Sequence, residues 1–248
     1  MKEYNIIKEL ENTGLVKTIY TKKGWEEWPS NEVEKSYLYE KLTGLFGTDK
    51  EYVIRIPQTH SNKARVVTLD NIGEGIIKSA DEGYDAMITN IPGIILCTVE
   101  ADCVPVYILD PVNKVIGMVH SGWKGTAGII SVNTIELMVK EYNTNPKDII
   151  ACLGPCICGE CYEVGAELIS EFENNYFRNE IEKIFIKRNN EKYLLNLPEA
   201  IKISLLKIGV KGVNIIPSPA CTFENPDLCS WRRDKNPKAR MLTGIMLK

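Results

Sequence analysis

Apolar positions along the chain follow two periods, and the places where the period changes mark the predicted elements. Residues 13–21 read as a strand, followed by a loop with Gly24 and Pro29. Val33, Tyr37, Leu38, Leu42 and Leu45 then recur at helical spacing; Asn31 with Glu34 resembles a capping box, and Gly47 is the stop signal. Short apolar runs predict strands at 52–56, 64–68, 85–88, 94–99, 104–109 and 115–120. Residues 127–142, 163–177 and 198–208 predict helices, the last with Pro198 in its first turn, and 148–153, 213–216 and 241–247 predict strands. Helices and strands mix without a strict βαβ rhythm, so the expected fold class is α+β, with mixed β-sheets layered with helices. No fixed-period repeat and no Gly/Ser linker marks a boundary, so a single domain over residues 1–248 is expected.

Strands 104–109 and 115–120 are joined by Asp110-Pro111-Val112-Asn113-Lys114, a turn-forming run that predicts an antiparallel hairpin. The midpoint between Cys103 and His120 falls between residues 111 and 112, inside that turn, so the two are expected to be cross-strand neighbours to within one or two residues. Directly opposed Cβ atoms lie about 5 Å apart, close enough for a thiolate and an imidazole to share one metal ion.

Composition narrows the classes. A net charge of −3 gives no general attraction to a polyanion, so nucleic acid is not an expected partner, while a small anionic substrate is open. The opening MKEYNIIKELENTG lacks the apolar core of a signal peptide. No run reaches the roughly 18 apolar residues that cross a bilayer; the longest windows are broken by Glu100, Asp102 and Lys114. No membrane partner and a cytoplasmic location are therefore expected. Eight cysteines in a reducing compartment are thiols, metal ligands or catalytic groups before they are disulfides. The absence of GxGxxG and GxxxxGK[ST] argues against a dinucleotide enzyme or a P-loop NTPase.

The chain holds two histidines, His60 in QTHSN and His120 in VHSGWKG, each where a predicted strand runs into a loop of small polar residues. With Cys103 they supply three ligands and leave a fourth position open, the pattern of a catalytic zinc. Two other readings use the same residues. His120 capping a strand end, His60 on the surface and Cys103 as a packed thiol is one; a Cys103 nucleophile with His120 as base, as in a hydrolase or amidase, is the other.

Several blocks in order, QTHS, DAMIT with PGIIL, ADCVPVYILDP, VHSGWKGTAGII, GPCICGECYEVG and CTFENPDLCSWRRDKNPKARM, resemble the YfiH/laccase-domain family of purine nucleoside phosphorylases from about Thr59 to the C-terminus. The resemblance implies a YfiH-like fold and a zinc held by His60, Cys103 and His120, with copper as an alternative ion at the same site. It implies phosphorolysis of adenosine, inosine and 5′-methylthioadenosine, and adenosine deamination through a zinc-activated water. The family's older label, multicopper polyphenol oxidase, conflicts with the histidine count: one blue-copper site alone uses two His and one Cys, and this chain then has none left for a multinuclear cluster. A weak copper-dependent oxidase acting on phenolic compounds, or a hydrolase acting on a cell-wall precursor, are the alternatives carried forward. Two departures stand out: Glu100 occupies a position where members have a small hydroxyl residue, which bears on substrate preference, and Lys124 replaces an arginine.

Phosphorolysis needs an anion site. Gly122-Trp123-Lys124-Gly125-Thr126 lies between a strand and a predicted helix start, where free backbone N–H groups favour an anion. Lys124, Arg232, Arg233 and Arg240 are the candidate substrate and phosphate ligands, and Asp102 is expected to orient a backbone group. Cys152, Cys156, Cys158 and Cys161 raise a second zinc or an iron–sulfur site, but the Cys156-x-Cys158 spacing is tighter than the usual C-x₂₋₄-C. The block GPCICGECYEVG is read as a strand-to-helix loop beside the active site, and Cys97, Cys221 and Cys229 as packed thiols.

Overall fold

The computed structural model describes residues 4–25, 32–173, 176–189 and 191–248; Asn31 of the expected capping box lies outside them. In chain order the strands are β1 Tyr4–Asn5, β2 Val16–Thr21, β3 Val53–Arg55, β4 Ala64–Val66, β5 Ala86–Thr89, β6 Ile95–Glu100 and β7 Val104–Asp110. They continue with β8 Val115–Ser121, β9 Ile150–Leu153, β10 Glu163–Gly165, β11 Phe185–Lys187, β12 Lys192–Leu195, β13 Ile215–Ile216 and β14 Met241–Leu247. The helices are α1 Lys8–Glu11, α2 Glu32–Phe46, α3 Trp123–Ala127, α4 Ile130–Tyr142, α5 Glu167–Phe172, α6 Ile181–Ile184, α7 Leu197–Ile208 and α8 Trp231–Asp234.

Strand alternation builds two stacked sheets. In β7, Val104, Val106 and Ile108 point to one core, with Ile130, Ile135 and Met138 of α4 and Leu197, Ile201 and Leu205 of α7. Tyr107 and Leu109 point to the opposite core, where they meet Leu96 of β6, Ile54 of β3 and Ile245 of β14. The same period continues through β6, whose Ile95 and Cys97 turn outward onto Leu38, Tyr39 and Leu42 of α2. The layers are thus α2, a five-stranded sheet ordered β1-β2-β14-β6-β3, a six-stranded sheet ordered β13-β9-β7-β8-β5-β4, and α4 with α7. A sheet covered on both faces has no polar face to show. This is why β7 and β8 read as unbroken apolar runs and are buried at every position. Tyr107 Oη, buried between the sheets, donates to the Ile19 carbonyl at 2.7 Å and so leaves no unpaired hydroxyl there.

Both large sheets are mixed, with β3–β6, β4–β5 and β9–β13 parallel and the other pairs antiparallel, in agreement with the α+β expectation. Two predicted helices change. The segment expected over 127–142 splits into α3 and α4 at Ile129, whose left-handed backbone (φ 55°) interrupts the winding. The segment expected over 163–177 begins as β10, because Glu163, Val164 and Gly165 pair with Leu194, Tyr193 and Lys192 in a separate three-stranded sheet. GPCICGECYEVG therefore connects strand to strand. No helix among the described residues is long and apolar enough to cross a membrane.

Candidate metal centre and active-site pocket

Antiparallel pairing of β5 with β8 and of β7 with β8 brings the start of β7, the end of β8 and the starts of β5 and β4 to one end of the six-stranded sheet. Cys103 sits just before β7, His120 near the end of β8, Asp85 just before β5, and His60 in the loop that enters β4. The hairpin is shifted by two residues from the expected register. Pro105 pairs with His120 and Val104 with Ser121, leaving Cys103 beyond the strand end. The shift has a local cause: Asp110 pairs with Val115, and its Oδ1 accepts the N–H groups of Val112 and Asn113 at 2.9 and 3.1 Å, capping the turn between them. Because side chains alternate with period two, a two-residue shift leaves Cys103 on the intended face.

The ligand atoms of His60, Cys103 and His120 all lie within 4.8 Å of one another. His60 Nε2 is 3.9 Å from Cys103 Sγ, and the two imidazole rings meet edge to face with centroids 4.9 Å apart. Asp85, a residue the sequence reading assigned no role, organises the group. Its Oδ1 accepts from His120 Nδ1 at 2.8 Å and from the His60 N–H at 3.0 Å, and its Oδ2 accepts from the Ser61 N–H at 2.6 Å. Its backbone carbonyl also accepts the His120 N–H at 2.8 Å. With Nδ1 committed to Asp85, His120 presents Nε2 to the centre, the carboxylate–histidine arrangement that fixes tautomer and raises ligand basicity. His60 itself holds a left-handed backbone, φ 60°, which the three N–H bonds to Asp85 from Thr59, His60 and Ser61 stabilise.

Electrostatics agree with a ligand set. Burial works against charge on Asp85, yet the bonds from His120 and Ser61 hold its carboxyl at about 2. Burial likewise opposes charge on Cys103 and His120, but their mutual attraction brings the thiol down and, with Asp85, carries the imidazole up. Without a metal, these opposite shifts favour a thiolate paired with an imidazolium. The donor chemistry, one thiolate and two imidazoles with one nitrogen already fixed by a carboxylate, fits a zinc-class ion. The backbone cradle fits as well. A Cβ on Gly122 would stand 2.8 Å from His60 Cδ2 and 3.0 Å from Cys103 Sγ, so only glycine leaves the ligands room.

The centre opens into a cavity of about 720 Å³. Arg55, Arg232 and Arg240 line it, together with Trp123, Tyr162 and Trp231. The Arg232 guanidinium lies 4.9 Å from the Tyr162 ring centroid and that of Arg240 5.5 Å from Trp231. Arg55, Tyr162 and Trp231 are not singled out by the sequence, and Trp123 enters there only as part of the loop at 122–126; only a fold shows that residues this far apart share a wall. Asp102, in a left-handed conformation with φ 88°, accepts the Arg232 N–H and the Thr222 hydroxyl at 2.6 Å each, and so orients a backbone group as expected.

Three expected positions stand elsewhere. Arg233 points away from the cavity: its Nη1 donates to the carbonyls of Thr222, Phe223 and Asn225, its Nη2 to that of Leu228, and Asp234 takes the rest. Each step along a helix rotates the next side chain by roughly 100°, which is why Arg232 and Arg233 part company. Lys124 is exposed, 5.5 Å from the centroid of Trp123 and not on the cavity wall, and the helix at its turn is only five residues long. Glu100 is buried behind the wall with its Oε2 accepting from Thr243 Oγ1 at 2.8 Å, and burial pushes its carboxyl up to about 7.

Comparison with known proteins is consistent with this arrangement. The chain is 33% identical over 215 residues to a purine nucleoside phosphorylase of Bacteroides thetaiotaomicron, covering 83% of this chain and 77% of that one. It is also 33% identical over 215 residues to adenosine deaminase RL5 from an unknown prokaryotic organism, covering 84% and 79%. The solved structure of the Bacillus licheniformis hypothetical protein YfiH superposes with a TM-score of 0.92 at 28% identity, over 100% of this chain and 97% of that one. Residues 31–248 match the family model described as multi-copper polyphenol oxidoreductase laccase, and the chain belongs to that family.

Proposed function

We propose that the protein is a zinc-dependent purine nucleoside phosphorylase, acting on adenosine, inosine and 5′-methylthioadenosine, that also deaminates adenosine. One observation carries the reading: a single cavity joins the His60–Cys103–His120 donor set to three arginines and three aromatic side chains. The names of the relatives, purine nucleoside phosphorylase and adenosine deaminase, support it. Three protein ligands with a free position are the pattern of catalytic rather than structural zinc. A metal held there supplies Lewis acidity, which makes water a usable nucleophile near neutral pH.

The protein's own residues have separable tasks. The ring faces of Trp123, Tyr162 and Trp231 stack a purine, and Trp231 is 44% exposed, so a planar ligand has access to it. Arg55, Arg232 and Arg240 bind phosphate through charge-assisted hydrogen bonds. In phosphorolysis a phosphate oxygen attacks the anomeric carbon as the bond to the base nitrogen breaks. The electron pair leaves on the base, which takes up a proton. Holding phosphate on the arginines gives it the advantage over water. Partners are therefore small molecules, with a cytoplasmic location.

The depressed Cys103 thiol also suits a nucleophile, so a Cys–His hydrolase is the second reading. Multicopper chemistry has less support, because both histidines of the chain serve one centre. Purified protein is incubated with adenosine, with and without phosphate, before and after chelation. Phosphate-dependent adenine release, lost in Cys103→Ala and on metal removal and restored by zinc, is expected. Unchanged turnover after complete metal removal overturns the metal-dependent reading.

A further inference from the structure

Behind the cavity wall lies a second group of soft ligands. The Sγ atoms of Cys158, Cys161 and Cys221 and a carboxylate oxygen of Glu224 all lie within 4.8 Å of one another. None belongs to the His60 centre. They arrive as two pairs with equal spacing, Cys158-x₂-Cys161 on one loop and Cys221-x₂-Glu224 on another. Two i, i+3 pairs facing each other form the usual framework of a closed four-ligand zinc site, whereas the Cys156-x-Cys158 spacing does not. Cys156 and Cys152 are indeed elsewhere, buried in the core.

The two loops are held in place by bonds that do not involve the ligand atoms. Cys156 and Cys221 form a parallel bridge, and the Thr222 N–H donates to the Cys156 carbonyl at 2.9 Å. The Cys161 N–H closes the first turn on the Cys158 carbonyl at 3.1 Å, and a Cβ on Gly159 within that turn would come 2.7 Å from Asn196. Arg233 clamps the second loop through the carbonyls of Thr222, Phe223, Asn225 and Leu228. The Cys158 N–H already points at Cys221 Sγ, 3.3 Å away, the kind of outer bond that stabilises a ligating thiolate. In a tetrahedral site with sulfur at about 2.3 Å the sulfurs stand roughly 3.8 Å apart, so closure from the observed spacing needs at most about 1 Å of side-chain movement.

We propose that Cys158, Cys161, Cys221 and Glu224 form a second, structural site for a zinc-class divalent cation. It ties the loop carrying Ile157 and Tyr162 to the segment carrying Trp231 and Arg232, and so fixes the part of the cavity wall that these four residues form. Three thiolates and a carboxylate fill all four positions, which leaves none for substrate.

The full-length protein, stripped by chelator under reductant, is titrated with cobalt(II). Wild type takes up two equivalents. Cys103→Ala takes up one, with thiolate-to-cobalt charge-transfer absorption. Cys103→Ala with Cys158→Ser or Cys221→Ser takes up none. Glu224→Gln in the Cys103→Ala background keeps the absorption but binds at least tenfold more weakly. Because Glu224 is exposed, that variant decides the matter if the cysteine variants fail to fold. Failure of the His60 centre alone would show as one equivalent in wild type, unchanged by Cys103→Ala. The proposal is overturned if Cys103→Ala binds no cobalt, if the absorption survives loss of Cys158 or Cys221, or if Glu224→Gln leaves the affinity unchanged. It is also overturned if the cysteines are isolated as a disulfide that binds no cobalt after reduction.

Discussion

The His60–Cys103–His120 centre and the Cys158–Cys161–Cys221–Glu224 cluster each bring their donor atoms within 4.8 Å of one another, yet they are assembled in different ways. The first draws on strand ends of one sheet and a loop held by Asp85, a buried carboxylate that fixes a tautomer and a strained backbone together. The second draws on two surface loops stitched by main-chain bonds and by Arg233. The first has three candidate ligands and faces a cavity; the second has four and does not line it. On the readings proposed above, ligand count and neighbours separate a site suited to chemistry from one suited to holding shape.

That contrast breaks most sharply at Gly122. Gly122→Ala places a methyl group against His60 and Cys103, and phosphorolysis is expected to fall by about 100-fold with loss of one metal equivalent, measured by elemental analysis beside the assay. Asp85→Asn keeps the shape but loses the charge, and a loss of about 30-fold in metal affinity is expected, within the range of outer-shell changes. In stripped protein the same residue sets an acid limit. Its folded value of about 2 lies below the ordinary 3.8, so its contribution is complete above pH 3.8 and is lost as pH falls toward 2. The difference is worth about 2 kcal/mol, and denaturant midpoints taken across that window should be flatter in Asp85→Asn. Gly159→Ala moves the contrast to the other cluster. The second metal equivalent and a few degrees of melting temperature are expected to go, and kcat to stay within about threefold. Lys124→Ala is expected to change kcat/KM by less than about twofold, because an exposed ammonium off the wall contributes little.

How much of this was legible depends on how local each signal is. The strands β7, β8 and β14 and the helix α7 could be read almost to their ends, since their apolar runs and caps lie within the segment itself. The hairpin midpoint brought Cys103 and His120 together, but the turn-capping role of Asp110 moved the register by two. β10 was missed because its partner lies almost thirty residues away, while Val164, Leu168 and Phe172 imitate helical spacing. Asp85 gave only a weak signal, an acid at the head of an apolar strand; its meaning comes from His60 and His120, on either side in sequence. Arg232 and Arg233 cannot be told apart in a string of letters, whereas on α8 one faces the cavity and the other the carbonyls of the loop before it. Cys221, read as a packed thiol, joins Cys158 and Cys161 through long-range contacts no local signal announces, the bridge to Cys156 and the bond from the Cys158 N–H to its Sγ.

Asp85 also imposes an order on biosynthesis. The chain leaves the ribosome N-terminus first, so His60 and Asp85 emerge before Cys103 and His120. The loop around His60 gains a partner in Asp85 early, but His120 reaches Asp85 only by pairing of β8 with β5. A nascent chain halted before residue 120 therefore has one histidine and an incomplete donor set, so any capture of an ion by all three residues waits until about half of the chain has been made.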